Sequence, residues 1–413
     1  MATVVEKIFT AKAGREARAG DIVVVDVDAC MIHDVNGPAA IKNFAQIADK
    51  VRSPGHHLVA LDHFAPCPNA AAATNHVRLR RFAKEQGIQL MDVCKGVCHQ
   101  VMLESGKIRP GGIAVGTDSH SCTYGVLNAF STGVGAAEAA VIFACDQCWF
   151  KVPQTIRVEL TGTLPEGVLG KDIALKLLQI LGEAGAAYQC VEFGGEGIGQ
   201  ISFESRVTLC NMMIEAGAKG AIMPCDEVTH RWMAQHGMAD AAGVEPDAGA
   251  QYARRIVLDL SGMRPLVAVP PCIDHAVEAR ELAHVKVDQV VIGSCTNGRY
   301  EDIALAARIL EGRHVADGVR LLVFPASQQV EAALKAQGLL DVLAGAGASV
   351  FPPNCGPCAG IHCGLLGDGE VAVSTTNRNL SGRMGSKDAQ IYIASPLVAA
   401  YSALCGSISD GEV

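Results

Sequence analysis

Three thiols in this chain are spaced for metal chemistry. Cys295 stands alone behind the apolar run Val290-Val291-Ile292, and Cys355 and Cys358 form a C-x-x-C about sixty residues later. A structural zinc site ordinarily takes four protein ligands, so a pair plus one is an odd count for zinc. Three thiolates suit an iron–sulfur cluster that keeps one iron open, and an open iron is a Lewis acid. Buried inert cysteines and a redox C-x-x-C remain alternatives on spacing alone, because 16 cysteines are scattered through the chain, mostly singly.

The elements around these thiols favour a shared site. Val290–Ile292 reads as a short buried strand bounded by Gly293, with Cys295 in the turn at its carboxyl end and a helix over 301–310. Leu321–Phe324 and 328–337 repeat the strand–helix pattern. A third strand over 348–351 is stopped by Pro352-Pro353, and Cys355 and Cys358 follow at once. Ligand sites in open α/β sheets lie at the carboxyl edge of the strands, so both thiol sites fall on one edge. Gly356-Pro357 turns the chain tightly between the pair.

Other polar residues wait at similar positions. Asp62-His63 follows the apolar run 57–61, and a carboxylate beside an imidazole keeps it ready to give a proton. His33-Asp34 reads as a structural turn pair closed by Gly37-Pro38, and taken alone His99 reads best as a packed histidine. Asp118 and His120 are offset by two and share a face if the segment is extended. The run 206–218 reads as one helix in which Asn211 and Glu215, spaced i, i+4, share a face and need partners. Asn377, Arg378 and Arg383 lie in a glycine-containing loop, where guanidinium groups suit carboxylates. Gly125–Cys148 reads as one tightly packed helix, with Cys145 and Cys148 as core thiols. No chemistry is read in 234–262.

SCTNGRYED, NCGPCAG and STTNRNLSGRMGS, in that order, resemble the aconitase superfamily, most closely its isopropylmalate dehydratase large-subunit branch, and HDVNGPAAI and GTDSH add to the likeness over nearly the whole chain. The resemblance implies a [4Fe–4S] cluster on Cys295, Cys355 and Cys358, with no ligand role for Cys363. It implies catalytic roles for Asp62, His63, His99, Asp118, His120 and Glu215, with Asp118 orienting His99 and Glu215 partnering His120. Ser119, Asn211, Asn377, Arg378 and Arg383 are implied to contact substrate or line the cluster. The implied reaction is a hydro-lyase one: a 2-hydroxy acid is dehydrated and rehydrated, first of all in the isomerisation of 2- and 3-isopropylmalate in leucine biosynthesis. Homoaconitase, methylmalate (citraconate) and dimethylmalate dehydratases are alternatives in the same class. Aconitase itself continues into a swivelling fourth domain, so the resemblance implies a small subunit that carries it here.

At 413 residues the chain has room for two to three domains of ordinary size. The expected fold is α/β in three domains, 1–153, 154–270 and 271–413, with the cluster in a central cleft. Hydrophobic content of 49% against 19% charged residues supports a large core and argues against disorder. A formal charge of −9 without a basic run argues against a nucleic-acid surface, and so against a cluster-sensing RNA-binding regulator. The first residues have no apolar core like that of a signal peptide, and no apolar stretch is long enough to span a membrane. Unpaired cysteines in such number suggest a reducing compartment, with the cytoplasm as the expectation. A zinc-stabilised scaffold without catalysis is the remaining alternative.

Overall fold

A computed structural model of the chain describes residues 1–239 and 241–411. The chain enters through a helix, Val4–Ala13, whose Thr3 and Glu6 cap one another's backbone N–H groups. The strands then run β1 (Ile22–Asp26), β2 (Ala29–His33), β3 (His57–Ala60), β4 (Gln89–Met91), β5 (Ile113–Gly116), β6 (Phe130–Gly133) and β7 (Gln147–Lys151). Strands β2 to β6 make a parallel sheet in the order β4-β3-β2-β5-β6, while β1 and β7 pair antiparallel and share its core. A second parallel sheet, β10-β9-β8-β11, takes β8 (Thr155–Thr161), β9 (Cys190–Gly194), β10 (Gly220–Ile222) and β11 (Arg254–Asp259). The third has β12 (Leu266–Ala268), β13 (Ala276–Glu278), β14 (Gln289–Gly293), β15 (Arg320–Phe324), β16 (Ser349–Val350), β17 (Val371–Ser374) and β18 (Gln390–Ala394), in the order β13-β12-β18-β17-β14-β15-β16.

The first and third sheets are wound alike. Numbered by appearance, the five parallel strands of each run third-second-first-fourth-fifth across the sheet. Each therefore has a place where the strand order reverses: between β2 and β5 in the first, between β14 and β17 in the third. Loops leaving the carboxyl ends on either side of such a place diverge and leave a crevice between them. The central strands are apolar throughout because helices cover both faces of a parallel sheet. Val290, Val291 and Ile292 are fully buried, and each contributes about 2 kcal/mol by that burial.

Several local expectations are corrected by tertiary context. His33 closes β2, and Gly37-Pro38 does not close a turn but opens a helix, Gly37–Phe44, with proline in its first turn, where a missing N–H costs nothing. The helix before β4 begins at Ala70, not Arg78. Gly125–Cys148 spans four elements: the end of a 3-10 segment, Ser119–Leu127, then β6, then a helix, Ala136–Cys145, and the start of β7. Small residues were the signal read there, and they serve close packing rather than helix: a side chain on Gly125 would strike the Ala221 carbonyl. Cys145 ends that helix half-buried and Cys148 sits on β7, so the two do not share a helical face. The helix expected over 206–218 is Phe203–Met212, which tightens into a 3-10 turn, Met213–Ala216. The stretch 234–262, polar and without a chemical motif, contains β11. Finally, β12 joins the third sheet from within the residues expected to belong to the second segment.

Candidate active site

Cys295 sits in the loop after β14, at the order reversal of the third sheet. Gly293 makes this loop possible: its φ is +127°, and a side chain there would run into the Phe324 carbonyl of β15. Cys355 and Cys358 follow β16, where Asn354 Oδ1 accepts the Gly356 N–H at 2.6 Å and the Cys355 N–H reaches the Asp62 carbonyl at 3.1 Å. All three sulfurs line one cleft of about 380 Å³ and are nearly buried. Asn377 binds them together: its Oδ1 lies 3.5 Å from Cys295 Sγ and 3.8 Å from Cys358 Sγ.

The donor set suits a cluster with one open position. Cys355 hydrogen-bonds Cys358 and, against the effect of burial, holds it well below the ordinary thiol range, helped by Arg383, His120 and Ser294. Burial pushes Cys295 up to about 12. A fourth sulfur, Cys98, also lines the cleft. It is committed elsewhere, because its thiol hydrogen-bonds Asp62. Three thiols are thus available, one short of a closed tetrahedral site.

The opposite wall comes from the first sheet. Asp62 and His63 follow β3, with His63 Nδ1 at 2.9 Å from Asp62 Oδ1, while Asp62 Oδ2 accepts the Cys98 N–H at 2.7 Å. Burial opposes charge on His63, but Asp62, Asp118 and Asp34 outweigh it and raise the imidazole to about 10. Asp62 is correspondingly pushed down to about 2, its burial overcome by His63. Asp118 follows β5, on the other side of the order reversal. Its Oδ1 lies 2.9 Å from His99 Nε2 and accepts the His120 N–H at 2.8 Å. Asp118 and His120 were expected on an extended segment. Instead Asp118 caps the 3-10 segment, and that cap is what brings the two together. His99 is not merely packed; it opens a helix, Cys98–Glu104, and lines the cleft with its other nitrogen 3.2 Å from Tyr124 Oη. His33, read as structural, also lines the cleft: its ring lies 4.6 Å from that of His63 and its buried Nε2 has no hydrogen-bond partner.

Residues from the second sheet's surroundings stand behind this wall. Glu215 Oε1 is 2.8 Å from His120 Nε2, and both Glu215 oxygens are 2.9 Å from Arg378 Nε. Against burial, His120 and Arg378 hold Glu215 below the carboxylate range, and Asp118 and Glu215 raise His120. Asn211 does not face the same partner as Glu215, because the helix changes pitch between them. It hydrogen-bonds Asn377 and donates to Thr123 at 2.8 Å. Ser119 Oγ accepts from Arg378 at 3.4 Å. Arg383 lines the cleft with a buried Nε that has no partner. Of the residues expected from the sequence, Asp62, Asn211, Glu215 and Asn377 do not line the cleft; they hold those that do.

Lys171 was missed. It is fully buried and donates to Thr296 Oγ1 at 3.2 Å and to the Thr375 and Thr376 carbonyls at 3.0 and 2.9 Å, tying the loop of Cys295 to that of Asn377. Burial lowers its pKa to about 8, with Cys295 opposing. A signal was present: in the helix Gly170–Leu181 it shares the stripe of Ala174, Leu175 and Leu178, and a lysine on an apolar stripe needs a buried partner. Arg299 was missed too; it donates to the Cys295 carbonyl at 2.7 Å and to Gln100 at 3.0 Å.

Comparison with known proteins agrees with this geometry. Residues 6–406 match the model of the aconitase family (aconitate hydratase). The chain is 46% identical over 410 residues to 3-isopropylmalate dehydratase large subunit 1 of Methanopyrus kandleri, covering 99% of this chain and 98% of that one. It is 41% identical over 411 residues to 3-isopropylmalate dehydratase large subunit 1 of Thermotoga maritima, with the same coverage. Among solved structures, that of Thermococcus kodakaraensis aconitase X in its holo form covers 90% of this chain with a TM-score of 0.52 at 11% identity, a likeness of fold. Three thiols in one cleft, a facing wall of histidines and carboxylates, and a full-length match lead to one conclusion: the chain belongs to the aconitase family.

Proposed function

We propose that this chain is the catalytic large subunit of a 3-isopropylmalate dehydratase, a hydro-lyase that moves the hydroxyl of a 2-hydroxy dicarboxylic acid to the neighbouring carbon in leucine biosynthesis. One observation carries the reading: three available thiols and a wall of His63, Asp118, His99 and His120 line the same cleft. Cys295, Cys355 and Cys358 would hold a [4Fe–4S] cluster, which when bound supplies a Lewis-acidic iron for the substrate's hydroxyl and carboxylate. Asp62 engages His63 Nδ1 and keeps the ring charged, so Nε2 holds the proton given to the departing hydroxyl. Arg383, with an unpartnered Nε, and Arg378, held in place by Glu215, grip the carboxylates. Asn377 and Asn211 fix the thiol side, and Asp118 orients His99.

The three sheets are read as three domains around this cleft. The name "large subunit" of the relatives supports a small-subunit partner, which would carry the swivelling domain. Sixteen unpaired cysteines support a cytoplasmic setting, and among the described residues no helix is long and apolar enough to cross a membrane. The test is anaerobic co-expression with the small subunit, followed by iron analysis and a hydration assay on maleate-type acids with different alkyl groups. Iron should be bound, the isopropyl acid should turn over fastest, and Cys355→Ser should abolish turnover. A colourless preparation holding zinc, or undiminished turnover in Cys355→Ser, defeats the reading.

A further inference from the structure

Outside the cleft, a second constellation of titratable side chains is built on the first sheet, and no step above uses its Cys67 or His76. Cys67 Sγ lies 3.1 Å from His76 Nδ1, and His76 Nε2 lies 2.9 Å from Asp34 Oδ2. His76 and Asp34 are fully buried. Asp34 is fixed from two further directions, accepting the His63 N–H at 3.1 Å and the Phe64 N–H at 2.8 Å. With His76 neutral, the ring gives Nε2–H to the carboxylate and presents a bare Nδ1 to the thiol. Nucleophile, base and orienting carboxylate stand in the order that activates a weak nucleophile. Cys67 itself is only half-buried, and with Pro66, Pro68, Phe351 and Pro352 it lines an open groove of about 360 Å³. A buried thiol that merely fills space has neither a histidine–carboxylate relay behind it nor an apolar groove in front.

We propose that Cys67 is a nucleophilic thiol, primed by His76 and Asp34, that is acylated by a small thioester whose alkyl part sits in the Pro66–Phe351 groove. Burial raises the thiol's pKa, so the sulfur attacks as its proton leaves rather than as a standing thiolate. The Cys67 Sγ–carbonyl bond forms while the S–H proton passes to His76 Nδ1, and Asp34 pairs with the imidazolium. The carbon–sulfur bond of the thioester then breaks, and the departing thiolate takes the proton from Nδ1. The products are S-acylated Cys67 and a free thiol, with no change of oxidation state.

The proposal is tested on the full-length chain, desalted anaerobically, treated with isobutyryl-N-acetylcysteamine and mapped by peptide mass spectrometry. Cys67 should gain one isobutyryl group at least about tenfold faster than Cys272 and Cys405, which are more exposed, since a positioned base is worth about 10²-fold or more. His76→Gln should bring Cys67 to the rate of those two. Acylation of the three thiols in proportion to exposure, or an unmodified Cys67, overturns the proposal, and that comparison needs no variant. A His76→Gln chain that folds and acylates Cys67 at the wild-type rate overturns it as well. None of these readouts depends on cluster binding, so they stand apart from the hydro-lyase reading.

Discussion

Glu215 shows how one carboxylate holds two sides of a cleft. It meets His120 of the first sheet's loops and Arg378 of the third, and both partners are largely buried. Replacing it with glutamine keeps the shape and removes the charge. The Arg378 guanidinium is then left with a neutral partner, and hydrogen bonds to charged groups contribute about 1.5–3 kcal/mol. Glu215→Gln is therefore expected to lower kcat/KM on the order of 10²-fold in the assembled enzyme and to lower the thermal midpoint of the chain. Steady-state kinetics and calorimetry on the same preparation check this, and unchanged kinetics would remove Glu215 from the site. Its position was legible from the motif, but its second partner was not, because Arg378 is 163 residues away in sequence.

At the scale of elements, the helix Gly170–Leu181 acts as a bolt between sheets. Lys171 enters the third sheet's loops, and the next residue, Asp172, accepts the Leu266 N–H of β12 at 2.8 Å and the Leu169 N–H at 2.8 Å. Burial pushes Asp172 up to about 7. Lys171→Met keeps the length and apolar stem but leaves the Thr376 carbonyl without this donor, while the Thr375 carbonyl keeps the Thr296 hydroxyl at 2.8 Å. An orphaned buried carbonyl costs about 1–3 kcal/mol, so the variant should unfold about 1–3 kcal/mol more easily and retain less iron per chain. Denaturant unfolding and iron analysis read the two effects separately. A variant as stable as the parent would show that water satisfies that carbonyl.

For the whole molecule, acid stability is set in part far from the cleft. His57 begins β3 fully buried; neither ring nitrogen has a hydrogen-bond partner, and its ring lies 4.8 Å from that of Phe143. Burial lowers its pKa from 6.5 to about 4, with Asp146, 3.4 Å away, opposing. The unfolded chain thus takes up a proton below pH 6.5 that the folded chain refuses until about pH 4. Stability from this group is complete above pH 6.5 and is lost as pH falls through that window, by of order 3 kcal/mol. His57→Leu lacks this slope, so the thermal midpoints of parent and variant should diverge between pH 7 and 4.5 in the variant's favour. Parallel curves would show that Asp146 compensates the burial in full. The equal winding of the first and third sheets also belongs to this scale. The two runs look alike in their strand-to-turn pattern, but only pairing shows that both sheets reverse at equivalent strands.

By itself, the sequence determined the α/β class, the short buried strands, the placement of Cys295, Cys355 and Cys358 behind strand ends, and the family to which the chain belongs. Those features follow from local rules: apolar runs, proline and glycine stops, and motifs read within a few residues. The tertiary structure decided what lies across the cleft. It set His33 beside His63, gave Glu215 two partners, turned Lys171 into a tie between loops and tied Cys98 to Asp62 instead of leaving it with the other thiols. Each of these depends on which strands pair and where the order reverses, and pairing between segments tens to hundreds of residues apart leaves no trace in any local window.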